Sequence, residues 1–248
     1  MTMSGVFEGR VGGLEKMTLL DYPNHIAGIL FYNYCNLTCK YCYNPSLVCP
    51  NGKPEILPAK EITDFLYLRK GVLDGIVFSG GECTIWGNKL EADIQYTKGL
   101  GYLIKVDTNG QNPTIIQHFI EEGLLDYVAL DIKCPKRLED RFRAKMDLSY
   151  KTLQILMESG IKFETRTTIH PDITNEDDIS EMMGELSELG LKQAHYLQYF
   201  FDGTDTIESV NQHPRYFNLN KVDKHDIQII ERKSIANEKR QNYKKLNG

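Results

Sequence analysis

Along the chain, short apolar runs dense in β-branched and aromatic residues alternate with longer stretches whose apolar positions recur at steps of three and four. Residues 26–33, 75–79, 103–107, 127–132, 163–169 and 194–200 are runs of the first kind and read as strands. Residues 59–70, 89–100, 114–122, 150–159 and 176–189 lie between them and read as helices. In the last helix Ile179, Met182, Met183, Leu186 and Leu189 share one face, while Asp178, Glu181, Glu185 and Glu188 occupy the rest. Asn175 precedes that helix as a cap, with Asp177 and Asp178 in the first turn. Gly123, Gly160 and Gly190 follow three of the helices, where a left-handed residue is usual. Repetition of strand and helix predicts an α/β fold built on a parallel sheet.

The two ends differ from this middle. Residues 1–25 are a polar extension before the first strand, and residues 202–248 extend beyond the last. From Asn220 the composition turns charged and amide-rich. Residues 223–241 are expected to form a terminal helix with Ile227, Ile230 and Ile235 facing inward, and residues 237–248 to fray.

At 248 residues and 41% hydrophobic content the chain can bury one full core, so a single domain over 1–248 is expected. The formal charge of −5 comes from interspersed acids and bases, which argues against a nucleic-acid partner. The first twenty residues contain Glu8, Arg10, Glu15 and Lys16, and no apolar run reaches spanning length. No membrane association and a cytoplasmic location are therefore expected. Three of the six cysteines fall within eight positions, a cluster suited to metal or redox chemistry more than to a disulfide framework.

Those three are Cys35, Cys39 and Cys42, on a loop at the carboxyl end of the first predicted strand. Barrel enzymes place their chemistry at that end. A C-x3-C-x2-C loop can supply three soft thiolates to a 4Fe–4S cluster. Three ligands leave the fourth iron open to a chelating substrate such as S-adenosylmethionine (SAM), with its own amino and carboxylate groups. A zinc site is the competing reading. It would need a fourth ligand, for which only the single thiols Cys49, Cys83 and Cys134 are at hand.

Five further strands carry polar residues at or near their ends. Phe78-Ser79-Gly80-Gly81-Glu82 lets the backbone approach a ligand and leaves Glu82 free to accept hydrogen bonds, or is a simple turn. Asp107-Thr108-Asn109-Gly110 can grip ribose hydroxyls, or is an Asn-Gly turn. Asp131 and Lys133 fall on one strand face, as a site pair or a surface ion pair. Arg166 faces either a bound carboxylate or its neighbour Glu164. Gln198 occupies the last strand, and His170-Pro171 reads as a turn.

The C-x3-C-x-aromatic-C pattern, with Tyr41 as the aromatic, resembles the radical SAM superfamily, and the resemblance runs from about residue 12 to residue 201. It implies a partial (β/α)6 TIM-type barrel open at one side, with a 4Fe–4S cluster and SAM as cofactors. It also implies that Tyr41, Tyr43, Gly80, Gly81, Glu82, Asp107, Asn109, Asp131, Lys133, Arg166 and Gln198 contact SAM, with Asp131 and Lys133 as the catalytic pair. Asp-Thr-Asn-Gly and Asp-x-Lys are similar to motifs of the glycyl-radical activases. The chain departs from the pattern at Cys83, where proline is usual, at Tyr34, where glycine is common, and at Lys40 and Tyr43, where proline and histidine are common.

Gly13-Leu14-Glu15-Lys16-Met17-Thr18-Leu19-Leu20-Asp21-Tyr22-Pro23, together with Asn44-Pro45 after the third cysteine, resembles the anaerobic ribonucleoside-triphosphate reductase activating proteins. The resemblance implies hydrogen abstraction from a backbone glycine of a partner enzyme, with a flavodoxin or ferredoxin as electron donor. Only one cluster is expected, since the remaining cysteines form no second motif. A radical SAM enzyme modifying a small molecule or peptide, and a non-catalytic zinc or iron–sulfur binding module, remain as alternatives.

Overall fold

Every strand pairs with its neighbour in the chain. The computed structural model describes residues 5–48, 52–200 and 205–232. Within them β1 (Val11–Thr18) runs antiparallel to β2 (Ala27–Tyr32). Then β3 (Gly75–Gly80), β4 (Leu103–Thr108), β5 (Tyr127–Asp131), β6 (Lys162–Ile169), β7 (His195–Tyr199) and β8 (Ile229–Arg232) continue in parallel, giving one sheet in the order β1 to β8. The helices are α1 (Pro45–Val48), α2 (Ala59–Leu68), α3 (Asn88–Gly99), α4 (Pro113–Glu121), α5 (Glu139–Phe142), α6 (Met146–Ser159) and α7 (Glu176–Glu188). The six strands expected from the sequence are β2 to β7, each within one residue at either end. The result is an α/β partial barrel, open between β1 and β8.

Alternation along the strands divides the sheet into two chemically different faces. Leu30, Tyr32, Ile76, Phe78, Ile104, Val106, Val128 and Leu130 are fully buried against Ile62, Leu66, Ile94, Ile116, Phe119 and Leu153 of the surrounding helices. Each such side chain contributes about 1.5–3 kcal/mol by leaving water. On the inner face Ala27, Ile29 and Val77 pack with Tyr22 at the amino ends of the strands. A Cβ on Gly75 would come within 2.8 Å of the Tyr22 ring, so that glycine makes room for the plug. Toward the carboxyl ends the same face turns polar, with Ser79, Asp107, Asp131, Arg166 and Gln198.

Two strands escaped the sequence reading. β1 carries adjacent glycines and no clear alternation, and it forms because β2 offers it an edge. Its approach is held by buried Asp93, which accepts from the Phe7 amide at 2.7 Å, from Arg10 Nε and Nη2 at 2.6 Å and from the Tyr32 hydroxyl at 2.7 Å. β8 replaces the expected terminal helix over its described part. His225 and Asp226 take left-handed φ values of 45° and 65°, which stops a right-handed helix, and β7 then captures residues 229–232 in register. Residues 233–248, including Ile235 and the stretch expected to fray, lie outside the described residues.

The cap on α7 follows expectation. Asn175 Oδ1 accepts from the Asp178 amide at 2.9 Å, and Asp178 Oδ2 accepts from the Asn175 amide at 2.8 Å. Gly123, Gly160 and Gly190 have φ of 63°, 73° and 91° at helix ends. Among the described residues no helix is long and apolar enough to cross a membrane.

Candidate active site

At the carboxyl end of β2 the chain turns through Tyr34, whose φ of 67° explains why glycine suits this position. The Tyr34 amide donates to Leu47 O at 2.7 Å, Tyr34 O accepts from the Glu82 amide at 2.8 Å, and its ring leans on Trp86 with centroids 6.1 Å apart. The loop that follows carries the three cysteines. Its turns are set by the Leu37 amide, 3.4 Å from Cys35 Sγ, and by the Cys42 amide, which donates to Cys39 O at 3.0 Å.

Cys35, Cys39 and Cys42 line one cleft together with all eleven other residues singled out from the sequence, from Tyr41 and Tyr43 to Gln198. The space between these walls, including its open mouth, is about 900 Å³. Burial, and after it the Glu82 carboxylate, pushes the Cys35 thiol up to about 12. Burial raises Cys39 to about 11 against the opposing pull of Lys133. As free thiols they hold their protons, and metal binding would expel them.

Opposite the loop, charged side chains from three adjacent strands interlock. Arg166 Nε donates to Asp131 Oδ1 at 2.5 Å and Arg166 Nη2 to Asp107 Oδ2 at 3.0 Å. Lys133 Nζ donates to Asp131 Oδ2 at 3.1 Å, while Asp107 is also paired with buried Lys105 and accepts from the Ser79 hydroxyl at 3.3 Å. Burial by itself would raise both carboxyls. Arg166 and Lys133 together outweigh it at Asp131, and Arg166 and Lys105 together at Asp107, so both stay ionised below the usual carboxylate range. Lys133 behaves conversely: burial would lower it, and Asp131 more than compensates.

These contacts bear on readings the sequence left open. Asp131 and Lys133 form a half-buried pair on the cleft wall, not a surface pair. Arg166 engages Asp131 and Asp107 directly and makes a longer ion pair, 3.8 Å, with Glu164, which Arg232 holds more closely at 2.7 and 3.0 Å. Glu82 is not free, in contrast to the sequence expectation. Its Oε1 accepts from the Thr84 amide and hydroxyl and the Thr108 hydroxyl at 3.2, 2.5 and 2.8 Å, and its Oε2 from the Asn109 amide at 2.7 Å. Burial raises the Glu82 carboxyl, and these donors oppose the shift.

The glycines before it serve the protein backbone as well as the cleft. A Cβ on Gly81 would fall 2.0 Å from Tyr34 O, and Gly80, at φ 119°, passes equally close to Tyr32. Asn109 likewise spends its side chain on the protein, with Nδ2 donating to Asn36 Oδ1 at 2.8 Å and lying 3.9 Å from Cys35 Sγ. Cys83 does not disturb the turn it enters. Its buried thiol donates to Phe78 O and Asp107 O at 3.5 and 3.6 Å and starts a short 3-10 helix, Cys83–Trp86. Cys134 is fully buried, and Cys49 lies outside the described residues. His170-Pro171 is a turn, with His170 O accepting from the Ile173 and Thr174 amides at 2.7 and 2.9 Å.

Phe31, Ser79 and Thr168 also line the cleft; strand alternation could have found them, since each lies two residues from a position on the same face or across from one. Ile207 carried no such signal. It arrives from beyond β7, where its amide donates to Cys42 O at 3.3 Å and Lys40 pairs with Glu208 at 2.9 Å. The donor set suits the expected group: three thiols from one loop face a cleft whose far wall offers paired cations and carboxylates for a zwitterionic ligand.

The radical SAM superfamily model matches residues 29–185. A Methanocaldococcus jannaschii protein provisionally named a glycyl-radical enzyme activating enzyme is 30% identical over 192 residues, covering 73% of this chain and 77% of that one. The pyruvate formate-lyase-activating enzyme of Clostridium pasteurianum is 26% identical over 235 residues, covering 90% and 96%. In three dimensions Streptococcus suis SuiB bound to S-adenosylmethionine matches with a TM-score of 0.54 at 16% identity, over 72% of this chain. The chain spans 41% of the length of SuiB, and this likeness concerns the fold.

Proposed function

Because the chain belongs to the radical SAM superfamily and is related to its glycyl-radical enzyme activases, we propose that it installs a glycyl radical on a partner enzyme, the anaerobic ribonucleotide reductase. Members of the superfamily use a 4Fe–4S cluster and SAM. Bound together, these supply reductive cleavage of the sulfonium and a 5′-deoxyadenosyl radical that abstracts hydrogen.

Cys35, Cys39 and Cys42 would hold the cluster through three thiolates and leave it a position for the SAM amino and carboxylate groups. Among the described residues Lys133 has a single carboxylate partner, and with Arg166 it would orient the SAM carboxylate, while Asp131 holds both cations in place. Tyr41, Tyr43, Gly80, Gly81, Glu82, Asp107, Asn109 and Gln198 form the remaining wall, some by contact and Glu82 and Asn109 chiefly by fixing loops. The open side of the barrel admits a glycine loop, and its closure by the partner excludes water. Glycine suits the chemistry because its Cα radical is unencumbered and delocalised over two peptide groups.

One observation carries this reading: residues chosen from five separate strand ends and one loop meet on a single cleft. The ribonucleotide reductase as partner is supported by the N-terminal signature, whose Tyr22 plugs the barrel. Anaerobic reconstitution with iron, sulfide, SAM and dithionite should yield 5′-deoxyadenosine. Addition of an anaerobic ribonucleotide reductase should then produce the doublet of a glycyl radical by EPR. Deoxyadenosine without any radical on that protein would reject this partner, and no SAM cleavage at all would reject the reading.

A further inference from the structure

The connection from β5 to α6 contrasts in charge with the molecule that carries it. The whole chain has a formal charge of −5, yet between Lys133 and Lys145 lie six basic residues and two acidic ones. Three of the bases are spoken for. Lys133 pairs with Asp131, Lys136 with Asp147, and Arg137 with Asp178 and Glu181. Arg141, Arg143 and Lys145 are exposed, and among the described residues none has an ion-pair partner. Of the two acids, Glu139 accepts from the Met146 amide at 2.7 Å, leaving Asp140 as the segment's one outward acid.

This shelf is fastened to the cysteine loop from two directions. Phe142, sandwiched in sequence between Arg141 and Arg143, accepts through its carbonyl from the Thr38 amide at 3.3 Å, and its ring meets Tyr41 edge-on at 6.0 Å. Lys145 is clamped through its backbone by Gln111, whose Oε1 accepts from the Lys145 amide at 2.8 Å and whose Nε2 donates to Lys145 O at 3.1 Å. Gln111 in turn donates its amide to Asn109 Oδ1 at 3.1 Å, and Asn109 holds Asn36 of the cysteine loop. Unpaired positive charge is thus fixed beside the one loop to which electrons have to be delivered. Arg143 closes α5 in a left-handed conformation, φ 53°, uncommon for such a residue.

On the radical SAM reading of this site, we infer that Arg141, Arg143 and Lys145 form the docking surface for the electron donor, a low-potential redox protein with an acidic face. In the step it serves, the docked donor is oxidised by one electron and the cofactor site is reduced by one. Charge complementarity acts there chiefly on the encounter rate and fades as salt screens it.

The test compares the holoenzyme with its R141E/R143E/K145E variant, reduced anaerobically by pre-reduced flavodoxin, an acidic one-electron donor. The variant should be reduced at least tenfold more slowly at low salt and should lose the salt dependence of the wild type, while dithionite-driven SAM cleavage stays unchanged. Equal flavodoxin rates would overturn the inference. So would normal flavodoxin reduction with a lost glycyl radical, since the shelf would then belong to the activated partner. If charge reversal also lowers the dithionite-driven rate, R141Q/R143Q/K145Q decides by the same comparison: a selective loss with flavodoxin supports docking, and parallel loss with both reductants rejects it. Failure of the wild type to cleave SAM with dithionite would instead remove the reading of the site itself.

Discussion

Asn109 Nδ2 donates to Asn36 Oδ1 at 2.8 Å, so the end of β4 holds the cysteine loop directly. The same amide lies 3.9 Å from Cys35 Sγ, and the Asn109 backbone amide is anchored by Glu82 at 2.7 Å. Asn109 therefore links the strand-end carboxylate to Cys35, a ligand in the proposed cluster site. Outer contacts of this kind orient ligands and tune their affinity.

Asn109→Ala should accordingly weaken retention of iron by about 10- to 100-fold against a chelator. Its effect on SAM binding should be smaller than its effect on the cluster. Titrating SAM into the reconstituted variant separates the two, and a selective loss of SAM affinity would return Asn109 to the ribose.

Cys39→Ala should abolish the broad visible absorption of the cluster together with SAM cleavage. Removing one of three ligands leaves two, too few to hold a cubane with one open corner. Retained absorption and activity would overturn the ligand assignment.

Gly81→Ala should unseat the cysteine loop, because its new methyl would sit 2.0 Å from Tyr34 O, a backbone atom that cannot swing away. The expected cost is about 1–3 kcal/mol or more, read from denaturant unfolding of the apoprotein. Iron loading should fall in parallel. An apoprotein of unchanged stability would show that the backbone yields there cheaply.

Asp107→Asn removes the carboxylate that buried Lys105 shares with the partly buried Arg166. Leaving those cations short of a partner should cost about 3–5 kcal/mol. SAM binding should weaken as well, since the wall it meets loses its fixed charge pattern. Equilibrium unfolding and anaerobic SAM titration measure the two effects separately.

His195 supplies a pH dependence of known sign. It is fully buried with Nδ1 2.9 Å from Thr165 Oγ1 and Nε2 3.0 Å from Thr167 Oγ1, and burial holds it neutral down to about 3. The unfolded chain takes up that proton near the ordinary value of 6.5. Between those limits the unfolded state binds one more proton, so stability falls as pH drops, by up to about 1.4 kcal/mol per pH unit. His195→Gln should flatten the stability curve of the apoprotein across that window. An unchanged slope would exclude His195 as its source.

Strands β2 to β7 and the cysteine loop at the end of β2 were readable from residues alone, because strand alternation and close cysteine spacing are local properties. So were Asp107, Asp131, Lys133 and Arg166, since polar residues at the ends of apolar strands have few structural reasons to be there. Partners were another matter. Whether Arg166 answers Glu164 or Asp131 depends on which strand lies alongside, and Asp131 sits opposite Arg166 only because β5 and β6 pair in that register. The same holds for Glu82, whose four donors come from residues 84, 108 and 109.

Local chemistry, then, was set by residue type and spacing: three thiols on one strand-end loop, glycines for a tight strand end, a capped helix at Asn175. Tertiary structure alone decided β1 and β8, the Asn109–Asn36 link and the approach of Ile207 to Cys42. Apart from β1, these join positions far apart in the chain, and the free energy that selects all of them appears only once an edge, a carbonyl or a buried carboxylate has been placed beside them.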